Sequence, residues 1–406
     1  MSGAGPDWPG FRARFPALAG PGVELDNAAT THKPQAVLDA LLAHYREANA
    51  NVHRAGHRRA RLATEAYEGA RGRVARFLGR QREEVVFTRG TTEAVNLVAR
   101  GYLEPRLRAG DVVVATELEH HGNLVPWQQL CARRGARLHL LPLDEQTRVV
   151  LPAALPEGTV FVTATRVSNV TGTIVDTEAL LALARAAGVP LLLDLAQSIA
   201  HLPHDAATRE ADFVAFSAHK AYGPTGLGVL AGRRDALAEI APVSFGGDMV
   251  VSVSAQSATF QPPPLGLEAG TPPIAAAVAF VPALDLLDEA GAAALRAHEL
   301  ALLEQLLAGL GALPGVEVPG PRHAAERSGA VSFHVRGGDG RLLDPNVLAT
   351  LLDLQGVAVR AGFHCAEPLV RKLGGPLLRA SIALYSDESD INALLTALPE
   401  AIAAAD

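Results

Sequence analysis

From residue 83 onward, short apolar runs alternate with segments of helical periodicity, in the order strand, helix, strand. "EEVVFT" predicts a strand and "TTEAVNLVARGYL" a helix; "DVVVAT", "LVPWQQLCARRG" and "RLHLLPL" repeat the pattern. "TVFVTATRVSN", "TEALLALARAAG", "PLLLDLA" and "ADFVAFSAH" carry it to residue 219. The runs are continuously apolar, which predicts strands covered on both faces, and alternation with helices predicts an α/β fold around a mostly parallel sheet. Beyond about residue 265 the pattern changes. The Ala/Leu-rich stretch over 272–310 predicts helices leading to a smaller α+β region, with "AVSFHV", "GVAVRAG" and "LLRASIAL" as strands. The expected division is a large domain over 24–290, with 1–23 and 291–406 forming a small domain.

A chain of 406 residues exceeds what one core usually holds, which agrees with two domains and a cleft between them. Hydrophobic residues at 49% and charged ones at 19% fit a globular enzyme, and a formal charge of -7 gives no basic footprint for nucleic acid. The N-terminal stretch lacks a continuous apolar segment and no later one reaches about 18 residues, so no membrane span is expected and the expected location is the cytoplasm. Two cysteines, Cys131 and Cys365, suit a reducing compartment. No metal site is expected: there is no zinc spacing, and the adjacent His120 and His121 lack a third ligand.

In parallel sheets ligands gather beyond the C-terminal strand ends. Gly90, Thr91 and Thr92 in "TRGTTEA" lie at such a point, where helix-terminal N–H groups and hydroxyls suit a phosphate and equally suit an ordinary helix cap. Asp194 closes an apolar strand, and its carboxylate needs a partner, either a protonated ring nitrogen or an internal cap or ion pair. His120 follows "DVVVAT"; a flat imidazole there suits a bound ring. Asn169, Gln197, Ser217, His219 and Lys220 occupy the remaining strand ends. Lys220 stands at a glycine-rich bend, "SAHKAYGPTG", where a solvated loop lysine is the ordinary alternative. Arg379 sits in an apolar strand, suited to a substrate carboxylate or an internal salt bridge. Cys365 in "RAGFHCAEP" falls in an expected loop, reactive beside a cation such as Arg360 or His364 and inert if buried.

A phosphate cradle, a carboxylate, a flat histidine and a terminal lysine at successive strand ends together describe pyridoxal 5'-phosphate. Here the chain resembles the class V, fold type I aminotransferase-like enzymes, and within them the cysteine desulfurases of the SUF iron–sulfur assembly type. The likeness runs from "ELDNAATTHKP" to "RASIALY" and rests on "RGTTEAVNLVA", "EHHGNLVPWQ", "RVSNVTGT", "DLAQSIAH", "SAHKAYGPTGLGVL", "LEAGTP" and "RAGFHCAEP". It implies a seven-stranded sheet in the large domain, and a small domain carrying a cysteine loop.

The same resemblance implies that Lys220 is the Schiff-base lysine, Asp194 the partner of the pyridine nitrogen and Gln197 that of the phenolic oxygen. Thr91, Thr92, Ser217 and His219 would hold the phosphate, with Thr271 reaching the site of a neighbouring subunit in a homodimer. His120 would stack on the ring and move protons. Asn169, Arg379 and Arg360 would bind the substrate carboxylate, and Cys365 would accept sulfur from L-cysteine and pass it to an acceptor protein of the SUF system. Selenocysteine lyase and cysteine sulfinate desulfinase are the alternatives in the family. The chain departs from the family pattern at Arg166 and Phe363, where histidine is frequent, and at Leu195, Ala218 and Pro273.

Overall fold

The computed structural model describes residues 6–54 and 56–406; the first five residues of the segment assigned to the small domain, and residue 55, lie outside it. Seven strands form the principal sheet: β1 (Val85–Thr88), β2 (Val112–Thr116), β3 (Arg137–Leu141), β4 (Thr159–Thr165), β5 (Leu191–Asp194), β6 (Phe213–Ser217) and β7 (Gly228–Gly232). Their order is β1-β7-β6-β5-β4-β2-β3, with β7 antiparallel to both neighbours and every other pair parallel. Every residue of β1, β2, β5, β6 and β7 is buried, as continuous apolar runs require when helices cover both faces. β4 is half-buried at its first two residues and buried thereafter. β3, at one of the two sheet edges, alternates between exposed and half-buried positions before ending on buried Leu141.

Local chemistry sets the boundaries of the intervening helices. Asp176 caps Thr177–Ala187 through the Ala179 N–H, and Gly188, at φ 65°, ends it in the left-handed region that glycine enters without penalty. The helix predicted over 91–103 is α-helical for Thr91–Leu97 and widens to a π-helix over Val98–Leu103. All strands but the antiparallel β7 run in one direction, so β1, β2, β4, β5 and β6 deliver their following loops to a single edge of the sheet.

The Ala/Leu-rich stretch is two helices, Ile274–Ala290 and Ala292–Ala312, broken at Gly291 with φ 73°. Leu284 and Leu287 of the first belong to the core around the principal sheet, together with Phe11 and Phe15. Leu303 and Leu306 of the second belong to another core, which also holds Leu25, Phe333 and Leu378. That second core packs on a four-stranded antiparallel sheet of β8 (Val316–Glu317), β9 (Ala330–Val335), β10 (Arg360–Gly362) and β11 (Leu377–Ser381), in the order β8-β9-β11-β10. "GVAVRAG" was expected as one strand and is divided. Val357–Ala358 pairs with Val23–Glu24, whereas β10 pairs with β11. "LLRASIAL" stops being a strand at Ser381, whose hydroxyl turns back to the Leu25 carbonyl and the Ala28 N–H.

Buried charge ties "LEAGTP" into the frame. Glu268 accepts from the Phe87 N–H at 2.7 Å, from Arg71 at 2.9 Å and from the Tyr67 hydroxyl at 3.0 Å. Removing either charge would strand the other in a dry site, which is how one buried pair fixes the path of the following loop. No helix among the described residues is long and apolar enough to cross a membrane.

Candidate active site

The loops at the sheet edge meet β10, β11 and the segment after β10 around a cavity of about 230 Å³. Of the residues singled out above, Thr91, Thr92, His120, Asn169, Asp194, Gln197, Ser217, His219, Lys220, Arg360, Cys365 and Arg379 all line it. Thr271 does not. It is exposed and borders a separate cleft with Arg89 and Glu93 on its own chain.

At one end the Ser217 hydroxyl accepts from the Thr91 N–H at 2.8 Å and pairs with the Thr91 hydroxyl at 2.8 Å, joining the ends of β1 and β6. Gly228 allows this closeness: a Cβ there would fall 2.3 Å from the Gly90 Cα. Thr91, Thr92 and Ser217 therefore line one end of the cavity at the start of the helix Thr91–Leu97, an arrangement suited to a phosphate.

Asp194 is buried and its carboxyl pKa is raised by that burial. Its Oδ1 accepts from the Ala196 N–H at 2.8 Å. Lys220 lines the same cavity, with its amine pushed down to about 8 by burial against the pull of Asp194. Each charge influences the other, yet no direct ion pair joins them, and both line the cavity. The chain has three lysines. Lys33 donates to the Thr31 and His219 carbonyls and Lys372 pairs with Glu117, so the uncommitted amine among the described residues is that of Lys220.

His120 caps the helix His121–Arg134, its Nδ1 accepting from the Gly122 N–H at 2.8 Å. That bond assigns the ring proton to Nε2, and burial with nearby Lys220 pushes the pKa down to about 3, so the ring is neutral. Behind it Glu119, also buried, accepts from the Thr165 N–H at 2.9 Å and from Asn123 at 2.6 Å; burial lifts its pKa to about 7. Gln197 donates to the Ala28 carbonyl at 2.8 Å, which leaves its second amide N–H for the cavity.

Arg379 fulfils the salt-bridge reading and still faces the cavity. It donates to Asp26 at 2.9 Å and to the Asn169 carbonyl at 3.0 Å, while its buried Nε has no partner. Arg360 reaches the other Asp26 oxygen at 3.4 Å, so one carboxylate orients two guanidinium groups. The Asn169 Oδ1 is also buried without a partner. Unpaired polar atoms lining a cavity are the signature of a missing polar ligand.

Cys365 is exposed and Cys131 buried. Of the two neighbours considered as thiol-activating cations, His364 does not serve. Its Nε2 bonds to the Leu377 carbonyl at 3.1 Å and burial pushes its pKa down to about 3, so it carries no charge. Arg360 remains on that wall. The departures from the family pattern lie behind the lining. Arg166 is turned away onto Asp205 and the Pro203 carbonyl, and Phe363 packs beneath Arg371. Asp26, Ala28, Gly122 and Thr165 take part in the site and were not singled out from the sequence; Asp26 stands within the quoted "ELDNAAT", where a lone acid before an asparagine resembles a turn. Among the described residues no cluster of three metal-ligating side chains occurs.

Comparison with known proteins extends this picture to the whole chain. Residues 23–394 match the family described as Aminotransferase class-V. A Pseudomonas aeruginosa protein named probable cysteine desulfurase is 46% identical over 402 residues, covering 97% of this chain and 98% of that one. The solved apo cysteine desulfurase of Thermococcus onnurineus NA1 matches with a TM-score of 0.93 at 34% identity, covering 100% of both chains. Cysteine desulfurase CsdA of Escherichia coli, solved with an S-sulfonic acid, matches with a TM-score of 0.89 at 36% identity over 99% of this chain and 100% of that one.

Proposed function

The chain belongs to the aminotransferase class-V family, and from that membership we propose that it is a pyridoxal-phosphate-dependent cysteine desulfurase, converting L-cysteine to L-alanine. One observation carries the reading: an uncommitted lysine amine, a buried carboxyl and an exposed thiol line one cavity. The residues present fit the cofactor, since hydroxyls of Thr91, Thr92 and Ser217 gather at a helix start and buried Asp194 and uncommitted Lys220 line the same cavity, while the orphaned Asn169 Oδ1 and Arg379 Nε call for a further polar ligand. When bound, the cofactor supplies a sink for the electrons released at the substrate Cα.

In this reading Thr91, Thr92, Ser217 and His219 hold the phosphate, Asp194 the ring nitrogen and Gln197 the phenolic oxygen, with His120 flat against the ring. Asn169, Arg379 and Arg360 orient the substrate carboxylate. Lys220 anchors the cofactor and moves the Cα proton, and the His120 Nε2–H stands beside it as a second proton carrier. Cys365 Sγ forms a bond to the substrate sulfur as the substrate C–S bond breaks. Protons delivered to the carbon skeleton give alanine, and the sulfur remains as an enzyme persulfide.

An exposed persulfide on a loop is open to an acceptor protein, which supports sulfur delivery to iron–sulfur assembly of the SUF type. A homodimer, with Thr271 completing the neighbouring phosphate site, is supported by Phe245, Val251 and Val253, which stand 67–69% exposed on the single chain. The division at Gly291 then separates a cofactor-binding domain from one carrying the Cys365 loop.

Incubation of the cofactor-loaded protein with L-cysteine is expected to release alanine equal to the sulfur transferred; sulfur release without alanine would refute the reading. A pH dependence follows from the depressed Lys220 amine. Only the neutral amine captures the cofactor aldehyde, and its fraction rises as pH passes upward through about 8. The capture rate of cofactor-free protein, followed by visible absorbance, is therefore expected to rise to a plateau with a midpoint near that pH. A rate still climbing towards the ordinary lysine value of 10.5 would contradict it.

A further inference from the structure

The doublet His120–His121 enters the proposed chemistry only through its first member, yet the second makes two contacts with the segment that carries the thiol. His121 opens the helix His121–Arg134. Its backbone N–H donates to the Cys365 carbonyl at 2.7 Å, and its ring Nε2 lies 2.9 Å from the Glu367 N–H. A backbone N–H can only donate, so that ring nitrogen accepts and the ring proton sits on Nδ1. Glu367 begins the short helix Glu367–Lys372, whose first N–H groups have no partner within the helix. The imidazole caps one of them.

This segment needs outside support. His364 and Cys365 have φ of 49° and 55°, two consecutive residues other than glycine in the left-handed region, which persists only where surroundings enforce it. Besides the His364 ring bond to the Leu377 carbonyl, three hydrogen bonds do so around the thiol. Asn169 Nδ2 donates to the His364 carbonyl at 2.6 Å, and His121 supplies the other two, on the carbonyl of Cys365 and the N–H of Glu367. The cysteine side chain itself is exposed and adds no packing.

We propose that His121 is a positioning residue that clamps the Cys365 loop, holding the thiol at the mouth of the cavity where its neighbour His120 faces inward. The inference rests on the reading of Cys365 as the sulfur acceptor. Through one dipeptide the helix start fixes both the ring-facing imidazole and the nucleophile.

The test compares the wild-type holoenzyme with His121→Ala and His121→Gln, whose amide oxygen can still accept from the Glu367 N–H. Iodoacetamide reports on Cys365, because Cys131 is buried. His121→Ala is expected to speed alkylation by about fivefold or more as the loop opens. It is also expected to lower kcat for cysteine about tenfold, with KM within about twofold and the cofactor absorbance unchanged. His121→Gln is expected to restore both towards wild type. Alkylation of His121→Ala no faster than about twofold over wild type, or a His121→Gln variant as impaired as His121→Ala, overturns the clamp. Should the alanine variant fail to fold, amide exchange in the wild type decides: the Glu367 N–H is expected to be protected, and exchange at the unprotected rate overturns the proposal. Alkylation and exchange are read before substrate is added. A wild type that leaves cysteine unconsumed would therefore refute the proposed activity while these two measurements still judge the clamp.

Discussion

Replacing Lys220 with alanine is expected to lower cysteine turnover by at least about 10³-fold, because in the proposed reaction one amine serves both as anchor and as proton carrier. No other group in the cavity can take over as the anchor. Arg360 and Arg379 are committed to Asp26, and His120 is neutral with its Nδ1 held by the Gly122 N–H. The alanine variant should fold, since the Lys220 amine makes no hydrogen bond that a neighbour would miss, and the attraction to Asp194 that is lost is offset by relief of the amine's own burial penalty and of its repulsion from Arg379. Unchanged thermal unfolding with lost turnover is the expected pair of results. Turnover within about tenfold of wild type would remove Lys220 from the chemistry.

The second large effect concerns the thiol. Cys365→Ser is expected to cut alanine formation from cysteine by at least about 10³-fold while leaving the cofactor absorbance intact, because a hydroxyl is a poor nucleophile toward sulfur at neutral pH. The side chain is exposed and its deletion leaves no hole in a core, so stability should not change measurably. Alanine formation at the wild-type rate in this variant would reassign the reaction, and comparison with selenocysteine would show whether the substrate's own leaving group makes the thiol dispensable.

Much of the frame was legible because five of the seven principal strands are buried along their whole length and therefore spell nearly unbroken apolar runs. "DVVVAT" and "DFVAFS" could hardly be anything else, and the polar residues that follow them had to fall at one sheet edge. Lys220 and Asp194 could be assigned to a single cavity for that reason, and Cys365 through the family resemblance. What stayed hidden depends on contacts remote in sequence. Asp26 orients Arg379 and Arg360 from more than three hundred positions away, and no spacing reveals such a partner. The left-handed conformation at His364 and Cys365 was equally invisible, because neither residue type announces a positive φ as glycine would. The neutral state of His364 follows from burial and from the nearby Arg379 charge, which outweigh the Leu377 carbonyl, and a histidine beside a cysteine suggests the opposite. Division of "GVAVRAG" into two strands was set by competition between two partners, Val23–Glu24 and β11, for one stretch of backbone.

The central claim is that the amine at position 220 holds pyridoxal phosphate covalently with Asp194 across from it, and one measurement addresses it directly. The cofactor-loaded protein is reduced with borohydride, digested, and each of its three lysines is weighed by mass spectrometry. The account predicts bleaching of the visible band and a reduced cofactor mass on Lys220 alone. Label on Lys33 or Lys372, or a colourless protein that carries no label, would contradict it.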